Sequence, residues 1–304
     1  MGRFLETWTQ ISSNNIPDAM TETGLDWEAS KRPVHFKKRD TTFRTFDDRF
    51  VVARDDNDEP LSVTGKNYRP LQNSEAFAIF EKFIENGTLT LERGGSLGKG
   101  ISTFLLGKLR GTWYIGGQEL DLKVAISNDY SGRRSVRLSV VPVVDDIYMP
   151  VNMGGLKKTW AVWHTSSLEH NLDRAKSAIG NAYEYADHFC LYADKLCQEP
   201  VDRRDARDFF NHLLAAPENE GTRGRQIREN RIATLLAAWD QLSANKNTRW
   251  GLLQAVSSVE IQKACPRPGE TDSAKPFVRR KETLLKKMLN GNIPLFTKAE
   301  YMLN

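Results

Sequence analysis

Val124-Ala125-Ile126-Ser127-Asn128-Asp129-Tyr130-Ser131-Gly132-Arg133-Arg134-Ser135-Val136-Arg137-Leu138-Ser139-Val140 is the stretch on which the fold turns. Val124, Ile126, Val136, Leu138 and Val140 alternate, so each strand can bury one face and wet the other. The cluster from Asn128 to Gly132 carries the residues of a hairpin connection. Arg133, Arg134 and Arg137 follow at or just past the tip, a placement suited to holding a phosphate backbone.

Outward from this hairpin, a glycine-studded meander extends over Gly98 to Val144. Its candidate strands are Ile101 to Leu109, Trp113 to Ile115, Leu120 to Ile126 and Val136 to Val143. Upstream, alternating Phe46, Phe50 and Val52 predict a strand over Phe43 to Ala53. The acidic run from Asp55 to Pro60 reads as a turn before a pairing strand that begins over Leu61 to Val63. Asn73 or Ser74 can cap a helix striped by Phe77, Phe80, Phe83 and Ile84, and Asn86-Gly87 ends it.

After Thr165 the period changes from two to 3.6. Ser166 to Cys197 reads as one long helix, followed by helices over Arg203 to Ala216, Gln226 to Asn245 and Arg249 to Lys263, then a basic helical tail over Val278 to Leu289. The predicted class is α+β: an N-terminal antiparallel β-meander with a packed helix, then a mostly helical C-terminal half. The expected divisions are a basic arm over 1–40, a sheet domain with the basic hairpin over 41–165, a helical region over 166–265 and a basic tail over 266–304.

The 304 residues suffice for one large or two ordinary domains, and 39% hydrophobic with 27% charged residues describes a globular chain. No run reaches the roughly 18 apolar residues of a membrane helix, and the first ten residues lack a secretory apolar core. A cytoplasmic protein with no membrane partner is therefore expected. Cys190, Cys197 and Cys265 are too few and scattered for a disulfide framework or a zinc set.

Net charge is 43 − 39 = +4, only mildly basic, but it is segregated. Basic residues outnumber acidic ones eight to three from Arg93 to Arg137, and again from Lys263 to Lys287. Lys31 to Arg39 holds five Lys and Arg residues and no acid. Such segregation fits a polyanionic partner, the alternative being ordinary solvated surface.

Gly94 to Gly100 resembles a phosphate loop but has Arg93 where the first glycine belongs and Gly100 where a hydroxyl must hold magnesium. No nucleotide cofactor is expected. Glu119-Leu120-Asp121-Leu122-Lys123 has the acid-x-lysine element of magnesium nucleases, with all three polar groups on one strand face, but lacks an evident partner acid. Trp160-Ala161-Val162-Trp163-His164-Thr165 can stack bases or anchor the sheet to the long helix.

Thr42-Phe43-Arg44, the run from Tyr68 to Phe77, Ser127 to Gly132, Trp163-His164-Thr165 and Asn247 to Val256 occur in an order that resembles the phage/plasmid-like protein family, over about residues 41–263. Gln254 stands where that family is expected to have asparagine, and Val143 to Ile147 departs from its arginine and cysteine-asparagine pattern. The resemblance implies a mobile-element setting and carries over no catalytic residue. By analogy of fold it points toward phage single-strand annealing proteins of the Redβ, RecT and Erf class.

The expectation that follows is single-stranded DNA binding and ATP-independent annealing, with no covalent step and no cofactor or metal. Lys99, Lys108, Arg110, Arg133, Arg134 and Arg137 would neutralise phosphates along a groove beside the sheet, and Tyr130 or Trp113 would stack on bases. A homo-oligomeric ring or filament would extend the groove, and a host or phage single-strand-binding protein is a further expected partner. Two rivals are a magnesium nuclease centred on Glu119, Asp121 and Lys123, and a phage effector that docks on a host protein through its basic C-terminal helix.

Overall fold

A computed structural model describes residues 8–132, 136–150, 159–162, 168–217, 219–263, 265, 275–289 and 293–303. The fold is α+β. Its first half begins with β1 (Thr9–Gln10), α1 (Ile16–Thr23), β2 (Ala29–Lys37), β3 (Phe43–Arg54) and β4 (Pro60–Gly65). Next, α2 (Asn73–Phe77) runs through a 3-10 turn into α3 (Glu81–Glu85). The strands β5 (Leu89–Leu97), β6 (Ser102–Leu109), β7 (Trp113–Ile115), β8 (Gln118–Asp129), β9 (Val136–Val144), β10 (Ile147–Tyr148) and β11 (Thr159–Val162) follow. The second half is helical: α4 (Leu168–Cys197), α5 (Arg203–Leu213), α6 (Thr222–Asp240), α7 (Arg249–Gln262), α8 (Lys275–Leu289) and α9 (Pro294–Leu303). No described helix is long and apolar enough to cross a membrane.

The main sheet is antiparallel in the order β1-β5-β6-β8-β9-β10, with β7 beside β8 and β11 beside β9. The expected hairpin is present: β8 pairs β9 with Val124 opposite Val140, Ile126 opposite Leu138 and Ser127 opposite Arg137. Alternation along β8 buries Leu120, Leu122, Val124 and Ile126 on one face, where Phe77, Phe80 and Phe83 join the core. Each of those rings is worth about 1.5–3 kcal/mol when buried. The Tyr183 ring of α4 packs against Trp113 at 5.6 Å on that side.

The other face is crossed by α8. Ser139 donates to the Leu289 carbonyl at 2.7 Å, and the Lys281 ammonium stands 3.9 Å over the Trp8 ring, which meets Phe104 edge-on. Phe277, Leu284, Leu285 and Met288 are buried. The expected basic tail is thus an integral layer: the amphipathic stripe within its charges needs an apolar face to cover.

Residues 8–40 are built into the fold, unlike the separate basic arm expected over 1–40. Trp8, Ile11, Ile16, Ala19 and Leu25 are buried in the main core. Asn15 caps α1 by accepting from the Asp18 N–H at 2.9 Å, and Gly24 ends it at φ 63°. Gly94, which opens the run that resembles a phosphate loop, lies within β5. A β-carbon at Gly94 would come 2.7 Å from Leu105 Cδ2 and 3.2 Å from the Phe104 carbonyl. Close packing, rather than phosphate, accounts for that glycine.

A second, three-stranded sheet has the order β2-β3-β4. It closes a small core of Trp27, Ala29, Val52, Leu61 and Tyr130. Gln72, just ahead of α2, pins its root by pairing with the Ala29 N–H at 2.9 Å and carbonyl at 3.0 Å. Asn73 is the junction of the two cores. Its Oδ1 accepts from Thr103 at 2.8 Å and Tyr130 at 3.0 Å, while its Nδ2 donates to the Leu25 carbonyl at 3.0 Å.

Candidate nucleic-acid interface

Each residue expected to line the groove has a definite place. Lys99 sits in the left-handed turn between β5 and β6, and its ammonium pairs with Glu59 at 2.9 Å. Lys108 pairs with Asp121 and lies 3.7 Å from Glu119; the bond to Asp121 raises the Lys108 pKa. Arg110 is exposed beyond the end of β6, and its carbonyl accepts from the Tyr183 hydroxyl at 2.8 Å. Arg137 is half-buried at the second position of β9, opposite Ser127, and Arg133 and Arg134 lie outside the described residues.

The two aromatic expectations fare differently from each other. Trp113 donates from Nε1 to Asp187 at 3.0 Å and so joins the sheet to α4. Tyr130 is fully buried: burial raises its phenol pKa, and its hydroxyl is committed to Asn73. It has no open ring face for a base, because the turn residue closes the small core instead of pointing outward. The Trp163-His164-Thr165 motif lies outside the described residues.

The nuclease element does gain an acid that sequence alone did not pair with it. Glu92 on β5 reaches Lys123 at 2.7 Å, with Asp121 3.9 Å from the same ammonium. Lys108 and Lys123 stand directly opposite each other on β6 and β8. The carboxylates alternate with these lysines and neutralise them, which stabilises like charges on neighbouring strands. Among the described residues no group of three His, Cys, Asp or Glu side chains is placed to hold a metal ion.

Unneutralised charge gathers elsewhere, on the hairpin of β2 and β3. β4 pairs β3 only from Arg49 to Ala53, so residues 34–46 continue as a two-stranded ribbon, here termed the arm. The ribbon leaves the sheet at a bulge, where Pro33 pairs Phe50 but Val34 pairs Phe46. Its tip is a formed turn: Lys38 and Thr42 pair at 2.7 Å, Thr41 is left-handed at φ 69°, and Asp40 accepts from the Thr42 N–H and hydroxyl. Those two bonds lower the Asp40 pKa. Every residue from 35 to 49 is exposed.

Charge is sorted along this ribbon. The acidic run that follows β3 serves its root: Arg32 pairs with Asp55 and Asp58, and Arg54 with Asp56. Lys31 lies 4.4 Å over the Phe50 ring and donates to the Lys66 carbonyl. Farther out, Lys37, Lys38, Arg39 and Arg44 have no ion-pair partner among the described residues. Residues 31–50 hold seven basic and three acidic side chains, a net +4. The whole chain is also +4, so the remainder sums to zero.

Phenylalanines interleave with these cations. Phe36, Phe43 and Phe46 are 44%, 71% and 47% exposed. Directly paired residues share a ribbon face, which sets Phe36 beside Arg44 on one face and Phe43 beside Lys37 on the other. Phe46 lies 6.1 Å from Phe36. The β8–β9 turn abuts the root: a β-carbon on Gly132, at φ 75°, would meet the Thr64 methyl at 2.9 Å. The sequence predicts the β3 strand of the arm over Phe43 to Ala53 but not its partner β2; alternation of Val34 with Phe36 before a turn-forming Asp40-Thr41-Thr42 was the available signal.

The chain belongs to the family described as Domain of unknown function (DUF932), whose model matches residues 60–284. The match begins at β4, so the arm precedes it. Comparisons with curated proteins and with solved structures returned no match.

Proposed function

We propose that this protein binds single-stranded DNA and promotes annealing of complementary strands without ATP, in a phage or mobile-element setting, and that the arm is its principal contact. The sorted charge carries the reading: the ribbon over residues 34–46 holds four cations against one carboxylate, a net +3 of the chain's +4, and none of the four has an ion-pair partner among the described residues. Phosphates supply the opposite charge at close spacing, and their neutralisation releases counterions. The earlier groove of Lys99 and Lys108 plays a lesser part, since both are paired with carboxylates.

A single arm makes few contacts, so a ring or filament of protomers belongs to the proposal. Annealing also needs bases left free to pair, which phosphate-directed contacts allow. The nuclease alternative is weaker because Asp121 and Glu92 each face a lysine. The effector alternative is weaker because α8 is packed on the sheet.

Binding of a labelled single strand at 50 and 200 mM salt tests the reading. Replacing Lys37, Lys38, Arg39 and Arg44 by Ala removes up to four phosphate contacts, which flattens the logarithmic salt slope by about 2.8. Wild type should then lose about fifty-fold more affinity than the variant across that interval. Equal slopes would refute the arm as the phosphate contact.

A further inference from the structure

Resting on that reading, we infer that Phe36, Phe43 and Phe46 are base-stacking side chains that make the arm select single strands over duplex. A two-stranded ribbon has two faces, and both carry an exposed ring beside a cation: Phe36 with Arg44, and Phe43 with Lys37. Cross-strand neighbours lie about 5 Å apart, so a base stacked on the ring brings its nucleotide's phosphate toward the paired cation. Phe36 and Phe46 meet edge-on, yet at 44% to 71% exposure all three rings keep open surface. They are a solubility cost on an open ribbon edge unless a partner covers them.

The partner must be both anionic and aromatic or apolar, because rings and unpaired cations alternate on the same surface. An unpaired nucleic-acid strand meets both requirements, since every base offers a π-face and every linkage a charge. A duplex presents the charge but keeps its base faces stacked inside. A second copy of this arm presents the rings but repeats the positive charge, which opposes face-to-face pairing of arms.

Three ligands separate these outcomes: a single-stranded oligonucleotide, an abasic strand of equal length, and a duplex. They are titrated by anisotropy at 50 mM salt against wild type and the Phe36→Ala/Phe43→Ala/Phe46→Ala variant. A Phe36→Leu/Phe43→Leu/Phe46→Leu variant keeps apolar bulk and removes the rings. Stacking is worth about tenfold per engaged base, so both variants should lose tenfold or more on the intact single strand. Affinity for the abasic strand and the duplex should stay within about twofold of wild type, and the salt slope should not change.

An equal loss on the abasic strand, or no loss on any ligand, would overturn the inference. So would a wild-type oligomer that the alanine variant alone dissociates, because the rings would then be covered by another copy. Absence of wild-type binding to all three ligands would instead overturn the nucleic-acid reading on which the inference stands.

Discussion

Replacing Asn73 by Ala should destabilise the protein more than any other single polar substitution in the junction between its two cores. Asn73 is fully buried at the start of α2, and one side chain there satisfies three separate elements. The loop after α1 supplies the Leu25 carbonyl, β6 supplies the Thr103 hydroxyl, and the β8 turn supplies the Tyr130 hydroxyl. Asn128 Nδ2 lies farther off at 3.4 Å and already has the Leu71 carbonyl at 2.9 Å. Alanine therefore strands three buried polar groups. Each unsatisfied group costs about 1–3 kcal/mol, so a loss of about 3–5 kcal/mol is expected once partial relaxation is allowed. Tyr130→Phe removes one donor and leaves Thr103 on the same oxygen, so it should cost about 1 kcal/mol. Urea unfolding of both variants and of the double variant gives the comparison, read from midpoints at constant m. The double variant should be less destabilised than the two losses added together, because Tyr130 has no partner once Asn73 is gone. A cost for Asn73→Ala of 1 kcal/mol or less, or strict additivity, would refute the junction.

Two further expectations concern α1 and the seam with α4. The Glu22 carboxylate accepts from the Ser12 and Ser13 N–H groups and the Ser12 hydroxyl, which hold its pKa at about 2 against an ordinary 4.5. A depressed folded pKa stabilises above the unfolded value and is lost as pH falls through the folded one. The Tm gap between wild type and Glu22→Gln should therefore narrow between pH 4.5 and 2, and a gap constant with pH would contradict the bonding. Trp113→Phe deletes the bond to Asp187, so it should cost about 1 kcal/mol in urea while leaving single-strand affinity unchanged. A tenfold affinity loss would return Trp113 to the interface.

The sheet and the helices were legible because their signals are local. Alternation from Leu120 to Ile126 and from Val136 to Val140 fixes two strands, and the 3.6 period fixes α4 to within a few residues. The residues of β5 were hidden because Gly94 and Gly95 imitate a loop, whereas their small size serves contact with Leu105 and Trp8. Of the arm's two strands only β3 was legible; β2 was hidden because its outer residues are exposed on both faces, so it lacks the buried face that makes alternation conspicuous. Tyr130 was misread for the converse reason: a turn residue beside arginines looks solvent-facing, and only the long-range contacts with Trp27 and Asn73 bury it. Ion pairing of Lys99 and Lys108 is likewise non-local, since Glu59 and Asp121 come from distant segments.

The most direct test of the central claim is the annealing rate of two complementary labelled oligonucleotides without ATP, at 50 and 200 mM salt. Wild type should anneal them well above the spontaneous rate at 50 mM and lose most of that advantage at 200 mM. The Lys37→Ala/Lys38→Ala/Arg39→Ala/Arg44→Ala variant should fall close to the spontaneous rate at both. Acceleration by the variant equal to that of wild type would contradict the arm's role, and no acceleration by wild type at 50 mM would contradict annealing itself.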